Sequence, residues 1–480
     1  MFYPGSMIKF YTNMNFQLFS LYNNNSPFVT TPEKKYSFSE ILMFANSLSF
    51  HLNFSSGTRV GIFLGHDQKF VVSLLAMWIK GITPVPLGNI VNQNQISKIS
   101  EDLHLSGIIG DENSEKLIPD NLFIPFTQHN NEIPLENLHK FSPDETAVIM
   151  LTSGSSGKAK AVPLSFSNLF ASLSMMSSKL PEIKNCKWFA SLPFFHIGGF
   201  MIIMRSLYFG VEMIIPKIIS TFEITNAIKK GQAEAFSIVP STLENMLEKG
   251  IAPGNNVKFI FLGGAPAGKN TVLAALEKKY PIFKVYGSTE TSSMISIATP
   301  DELRLNPVSS GRALDEVDIF ITNSNGNFLA PEEIGDVELN SPTISSAFLA
   351  EHFSRKVFNT GDIGYLTKSG HLVITGRKSR MLISGGYNIF PEEIEAIIKE
   401  IFQPENVFVT GVCDKKWGEL LVALLVTDNQ ISYEVFKASL KNKLPFYKIP
   451  KKVFFTEHLP LTSIGKPDIN QIQKIITSKL

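Results

Sequence analysis

The sequence predicts an α/β protein: a large N-terminal body of mainly parallel sheets covered by helices, carrying an antiparallel β subdomain, followed by a small α+β C-terminal cap. Three observations point there. From about residue 36 to about residue 300, apolar runs of strand length alternate with amphipathic helical segments, an order that implies parallel strands covered on both faces. From Ile319 the texture changes to short strands separated by turn signals, Asn323 to Asn327, Lys368-Ser369-Gly370 and Ser384-Gly385-Gly386, the mark of antiparallel hairpins. Beyond Gly376 to Arg380 the chain mixes helices and strands again and is long enough for a unit of its own. At 480 residues two or three domains are expected, and the boundary is placed to give domains 1–376 and 377–480.

Taken in order, Ser39 is expected to cap a helix carrying Ile41, Leu42, Phe44, Ala45 and Leu48. Arg59 to Leu64 is a β-branched and aromatic run of buried-strand type, Lys69 to Lys80 a helix, and Thr83 to Leu87 the next strand. Thr146 to Leu151 and Phe259 to Leu262 are strand-like, and Phe200 to Phe209 is helix-like. In the C-terminal part Pro391-Glu392-Glu393 starts a helix that turns Ile394, Ile397, Ile398 and Ile401 inward. Val407 to Val412 and Leu420 to Val426 read as strands, and Ser432 caps a further helix. The absence of a repeat at roughly 20 to 50 residues excludes solenoids and propellers.

Lys and Arg number 44 against 43 Asp and Glu, a net charge of +1, so no overall field exists to hold a nucleic-acid backbone or an anionic membrane. Any polyanion must be gripped locally. Cys186 and Cys413 are too few and too far apart for a disulfide framework, fit a reducing compartment, and do not read as zinc ligands. No two of the nine histidines stand at metal-ligand spacing, so no protein-built transition-metal site is expected. The longest apolar runs, Phe200 to Met204 and Leu420 to Val426, are too short to span a bilayer, and the N-terminus lacks the basic flank and apolar core of a signal peptide. A cytoplasmic protein is expected, with no nucleic-acid or integral-membrane partner and nothing opposing a homo-oligomer. The final Ser478-Lys479-Leu480 matches the peroxisomal address, with a frayed helix end as the other reading.

The most informative segment is Thr152-Ser153-Gly154-Ser155-Ser156-Gly157-Lys158-Ala159-Lys160. Small residues let backbone N–H groups point into one concavity, hydroxyls add donors, and the lysines supply charge, a combination suited to a polyphosphate. Only two residues separate Gly154 from Gly157, and Ala159 stands where a Walker loop would need Ser or Thr for Mg²⁺, which disfavours a P-loop phosphotransferase. A flexible linker would not interrupt a buried strand and carry two lysines. Glu290, in Tyr286-Gly287-Ser288-Thr289-Glu290, is a suitable single carboxylate for Mg²⁺, or else a solvated turn residue. Gly263-Gly264-Ala265-Pro266 follows a strand and would let an adenine approach the backbone, or is a plain turn. By themselves Asp362, Arg377 and Lys466 read as a turn aspartate, a surface pair partner and an exposed lysine.

Together these motifs resemble the adenylate-forming acyl-CoA synthetase superfamily, in the expected order over roughly residues 36 to 470. The resemblance implies that Thr152, Ser153, Gly154, Ser155, Ser156, Gly157, Lys158 and Lys160 bind ATP phosphates, with Thr289 touching them and Glu290 holding Mg²⁺. It implies a nucleotide site completed by Gly263, Gly264, Ala265, Tyr286 and Gly287, with Asp362 on the ribose and Arg377 beside it. Lys466 falls at the adenylation lysine, and Ser384, Gly385 and Gly386 where a thiol enters. ATP and Mg²⁺ are thereby implied, with CoA as co-substrate and a C-terminal domain that reorients between two half-reactions. Ala159 and Ala161 replace the usual Pro and Gly, and Ser155-Ser156 a threonine pair. Ser379 and Arg380 replace acidic residues after the Gly376-Arg377 pair, which leaves open where the chain swivels.

For the acyl group, Phe194-Phe195-His196-Ile197-Gly198-Gly199-Phe200 offers aromatic walls, an imidazole and two glycines expected to leave room for a ring; a structural histidine is the equal alternative. Arg205 is expected at the surface, with pairing to a second substrate carboxylate as the other reading. Trp188 to Leu207, with Phe261 to Pro266, is most similar to the 2-succinylbenzoate–CoA ligase branch, which serves menaquinone biosynthesis. The alternatives are another aryl- or fatty-acyl-CoA ligase, a carrier-protein loader, and a non-catalytic nucleotide-binding homologue; the retained Lys160, Glu290, Asp362 and Lys466 oppose the last.

Overall fold

The computed structural model describes residues 26–88, 92–128, 139–153, 159–352, 355–384, 387–414, 417–460 and 467–480. The chain forms two compact units, Met1–Asp318 with Asn340–Phe358, and Ile319–Leu339 with Asn359–Leu480. The 376/377 boundary drawn from the sequence lies inside the second of these.

The first unit contains the expected parallel sheets. Four short strands pair in parallel in the order Thr83–Pro86, Arg59–Phe63, Gly107–Gly110, Phe123–Pro125. Pro84 and Pro86 sit on the edge strand, where a missing N–H costs no ladder bond. A nine-stranded sheet is parallel from Ile282–Ser288 through Phe259–Leu262, Ala235–Ile238, Trp188–Phe189 and Met213–Ile214 to Pro27–Thr30. Antiparallel strands flank it on both sides, Ser293–Ala298 and Arg312–Ala313 at one edge and Lys35–Ser37 at the other. The helix Phe38–Ser49 is capped by Ser37, not by Ser39 as expected: Ser37 accepts from the Glu40 N–H, and the Glu40 carboxylate reaches back to the Ser37 N–H. Only Ser37 has a glutamate three residues on, and that reciprocal pair decides the start.

Asp67 caps the helix Gln68–Ile79, whose residues Phe70 to Ile79 are all buried. A helix apolar on every side belongs in the interior. Its Trp78 indole Nε1 donates to the Ala147 carbonyl at 2.9 Å, and its ring meets Phe166 at 5.4 Å. Ala147 lies at an irregularity in the antiparallel hairpin formed by Thr146–Ser153 and Ala159–Ser165, where the register shifts between Thr146 and Val148. The Gly/Ser/Lys segment therefore joins two antiparallel strands, with Thr152 opposite Lys160.

In the second unit the antiparallel strands appear where the turn signals put them. Leu372–Arg377 pairs with the C-terminal half of Arg355–Leu366, and the turn between them closes with Gly370 at φ +79°. Asn323 accepts from the N–H groups of Asn325 and Asn327 in another. The α+β part pairs Asn406–Asp414 antiparallel and Lys452–Thr456 parallel to the long strand Gly418–Val426. Alternation along that strand separates two cores. Leu421, Ala423 and Leu425 pack with Ile394 and Ile398 of the helix Pro391–Phe402 and with Phe436 and Leu440 of Tyr433–Lys441. Val422, Leu424 and Val426 pack with Ile472 and Ile476 of Ile469–Lys479. Ser432 caps Tyr433–Lys441 as expected, and Ile397 and Ile401 are partly buried against the first core. Among the described residues no helix is long and apolar enough to cross a membrane.

The Trp78 bond fastens a buried helix to the hairpin that carries the Gly/Ser/Lys segment. Trp78→Phe strands the Ala147 carbonyl and should cost about 1–3 kcal/mol in urea unfolding. An unchanged midpoint would mean the carbonyl finds another donor.

Candidate functional site

Parallel pairing of Phe259–Leu262 with Ile282–Ser288, Leu262 opposite Lys284, brings two predicted segments to one edge of the large sheet. Gly263-Gly264-Ala265 leaves the first strand as Tyr286-Gly287 ends the second. The turn that follows is tightly specified: the Thr291 hydroxyl accepts from the Ser288 N–H at 2.8 Å and lies 2.8 Å from the Ser293 carbonyl. A Cβ on Gly287 would fall 1.8 Å from the Ser293 carbonyl oxygen, so no other residue fits there. Ser292 and Ser293 both take positive φ, at 52° and 92°, which completes the reversal. The Ser345 N–H donates to the Glu290 carbonyl at 2.9 Å and the Ser292 hydroxyl to the Thr343 carbonyl at 2.8 Å, so the turn is fixed on a second segment.

Out of this turn the Glu290 carboxylate faces the Lys160 ammonium at 3.8 Å, the glutamate largely shielded and the lysine half exposed. Lys160 also lies 4.0 Å from the Phe348 ring centroid, a contact no sequence motif signalled. A carboxylate whose cation stands beyond hydrogen-bond reach suits a divalent ion completed by phosphate oxygens. Thr289 lies in the same turn, and Thr152 Oγ1 is 3.4 Å from the Lys160 carbonyl. Gly154, Ser155, Ser156, Gly157 and Lys158 lie outside the described residues, as do Gly385, Gly386 and Lys466; of Ser153 only the strand backbone is described.

In the second unit Asp362 and Arg377 are cross-strand partners, with Arg377 Nε 3.3 Å from Asp362 Oδ1. The Asn359-Thr360-Gly361 turn aims Asp362: Asn359 Oδ1 accepts from Gly361 N–H, Gly361 takes φ +74°, and the Thr360 hydroxyl, bonded to the Val337 carbonyl, accepts from Asp362 N–H. Ser384 is buried and stands opposite Tyr387. Lys378 reaches both oxygens of Asp336 at 2.8 and 2.9 Å. Arg380 forks onto Glu395, at 2.6 and 3.3 Å, stands 3.2 Å from Glu392, and covers the Phe408 ring at 4.6 Å. Burial raises the Glu392 carboxyl above its usual range, against the pull of Arg380.

The acyl-pocket candidates are placed differently from expectation at two points. A Cβ on Gly199 would lie 2.1 Å from the Pro193 carbonyl oxygen, and one on Gly198 would lie 2.8 Å from Leu192. That space is filled by the chain itself, so these glycines allow close approach of the helix Ile197–Phe209 and do not open room for a ring. Arg205 is not at the surface: it is 2% exposed, with its guanidinium 4.6 Å from the Trp188 ring and 5.9 Å from Phe261. Its Nε and Nη1 have no hydrogen-bond partner among the described residues, and burial pushes its pKa down to about 9. His196 starts the helix, its ring 4.4 Å from that of Phe195. A second imidazole, missed in the sequence, belongs to this neighbourhood. His66, between the strand Arg59–Phe63 and Asp67, has Nε2 2.8 Å from the Ala190 carbonyl and its ring 4.0 Å from Phe194. Its position just past the end of a parallel strand was the available signal.

The family described as AMP-binding enzyme matches residues 24–349, and the AMP-binding enzyme C-terminal domain matches residues 393–466. The 2-succinylbenzoate–CoA ligase of Listeria innocua serovar 6a is 34% identical over 337 residues, covering 68% of this chain and 70% of that protein. That of Staphylococcus epidermidis is 27% identical over 92% of this chain and 94% of its own. The o-succinylbenzoate CoA synthetase of Bacillus subtilis, in complex with the acyl-adenylate intermediate OSB-AMP, superimposes with a TM-score of 0.84 at 26% identity, over 93% of this chain and 94% of that one. The Bacillus subtilis synthetase with ATP and magnesium ion gives 0.83 at 26% identity, over 93% and 96%. With the family's main region matched over more than half of this chain and the C-terminal domain following in order, this chain belongs to the AMP-binding enzyme family.

Proposed function

We propose that this chain, an AMP-forming acid–CoA ligase, takes 2-succinylbenzoate as its acid and CoA as its thiol. The observation that carries the substrate is Arg205. A buried guanidinium resting on two aromatic faces, with two nitrogens unpaired among the described residues, is costly unless an anion meets it. An acid with an aromatic ring and a second carboxylate supplies both a stacking surface and that anion. The names of the relatives agree with this choice.

In the first half-reaction a carboxylate oxygen attacks the α-phosphorus in line, and charge gathers on the phosphoryl oxygens and on pyrophosphate. Lys160 and the Gly154 to Lys158 segment oppose that charge, with Thr152, Ser153 and Thr289 as donors. Mg²⁺, held by Glu290 and phosphate oxygens, would supply neutralisation when bound. Gly263, Gly264, Ala265, Tyr286 and Gly287 flank the adenine, Asp362 takes the ribose hydroxyls with Arg377 beside it, and Lys466 serves the adenylation step. In the second, the thiol enters along Ser384, Gly385 and Gly386.

The hinge falls at Ser379. Arg377 and Lys378 are tied by Asp362 and Asp336 to the antiparallel strands, whereas Arg380 is tied by Glu392 and Glu395 to the helix Pro391–Phe402. Ser379 is the one residue between these anchors, so rotation there breaks none of the four ion pairs. Ser379 lies just beyond the 376/377 division expected from the sequence.

Four measurements test this reading. Thioester formation should require ATP, Mg²⁺ and CoA and favour 2-succinylbenzoate over benzoate in a carboxylate panel. Arg205→Met should lower turnover of 2-succinylbenzoate roughly a hundredfold while sparing benzoate, with stability unchanged or raised; equal losses on both acids would exclude the proposed pairing. Glu290→Gln should reduce pyrophosphate release by roughly a hundredfold or more and raise the Mg²⁺ requirement. Ser379→Pro should depress one half-reaction far more than the other when pyrophosphate exchange and acyl transfer are measured separately, and an even loss of both would move the hinge elsewhere.

A further inference from the structure

We propose that His66 is a positioning residue for the acid substrate: its Nε2–H···O=C bond to Ala190 and its ring against Phe194 hold the Phe194–His196 segment in place. The inference rests on the reading that this segment lines the acyl pocket.

The geometry is convergent. Ala190 follows directly on the strand Trp188–Phe189, and Phe194 is 1% exposed, lying between the His66 ring at 4.0 Å and the Phe70 ring at 5.4 Å. An amide oxygen only accepts, so Nε2 carries the proton and Nδ1 is bare. Nδ1 is buried with no partner among the described residues, which fits a neutral imidazole; burial holds the His66 pKa down at about 4. The tautomer is therefore locked with its one donor on the carbonyl.

A second contact comes from the neighbouring strand of the four-stranded sheet. Gly88, just beyond Thr83–Pro86, approaches Phe195 so closely that a Cβ would lie 2.0 Å from the ring. His66 and Gly88 thus both stand just past the C-terminal ends of adjacent parallel strands, and the aromatic segment rests on that edge. The far end of the same stretch is held independently: the Ser191 hydroxyl donates to the Ser237 carbonyl at 2.5 Å and accepts from the Ser237 N–H. Between these supports His66 and Gly88 both resist a shift of the segment. The nucleotide segments, Gly263 to Ala265 and Tyr286 to Glu290, make none of these contacts. An effect through His66 should therefore separate acid from ATP.

The test measures KM for 2-succinylbenzoate and for ATP, with kcat, in the full chain. His66→Ala should raise KM for the acid on the order of tenfold with KM for ATP unchanged. His66→Gln retains an N–H for the Ala190 carbonyl and should recover much of the loss, whereas His66→Phe retains the ring and should recover less. Gly88→Ala, which displaces Phe195, should raise the acid KM in the same selective way. Phe195→Ala serves as the control on the pocket itself. If Phe195→Ala raises the acid KM while His66→Ala has no effect, or raises both KM values alike, the role of His66 is overturned and the pocket stands. If Phe195→Ala leaves the acid KM unchanged, the pocket assignment falls and the inference with it. Should His66→Ala fail to fold, the Gln and Phe variants carry the same comparison.

Discussion

One parallel pairing, Phe259–Leu262 against Ile282–Ser288, organises the chemistry of the first unit. Parallel neighbours end at the same edge, so Gly263-Gly264 and Tyr286-Gly287 emerge side by side; antiparallel pairing would send one of them to the opposite end. The crossover this demands is the helix Lys269–Glu277, and what holds the strands together is a ladder of rings. Phe259 and Phe261 stack at 5.9 Å with planes 5° apart, Phe283 packs against both, and Trp188 stacks on Phe261 at 5.6 Å. Trp188 is also the surface on which Arg205 lies. The ladder that aligns the nucleotide segments therefore continues to the ring under Arg205, and a repacking of Phe261 would be felt in both.

Local signals explain what was legible in the sequence. Alternation and capping are set within a few residues, which is why the strand Gly418–Val426, the cap at Ser432 and the turns at Asn323 and Gly370 appear where they were expected. The Ser37 cap is equally local, set by its glutamate partner three residues on. The glycines at 198 and 199 were read for the right property, absence of a side chain, but what fills the space is the Pro193 carbonyl and Leu192, and only the path of the chain shows that. At His66 the sequence carried a positional signal, the end of a parallel strand, but not the contact itself. Its partner carbonyl lies 124 residues away, and nothing near His66 in sequence marks the contact.

Arg380, half-buried, and Arg205, fully buried, make the sharpest contrast. Arg380 is met by Glu392 and Glu395, the second gripped by both terminal guanidinium nitrogens. Its solvation loss is offset within the protein, and its pKa is raised above the usual value despite burial. That is a structural cation. Arg205 has lost more solvent and, among the described residues, has only rings in exchange, and its pKa moves the other way.

Removing a full positive charge from water costs far more than a cation–π contact returns, which is why isolated buried charges are rare unless paired. An apolar residue of similar length would fill the Arg205 site at lower cost to stability. The charge is therefore not explained by folding. On the proposed reading it answers an anionic partner that comes and goes beside Trp188. An aromatic dicarboxylic acid keeps a second carboxylate for the guanidinium, whereas a fatty acid, with its one carboxylate consumed in the reaction, leaves only an uncharged tail to meet it.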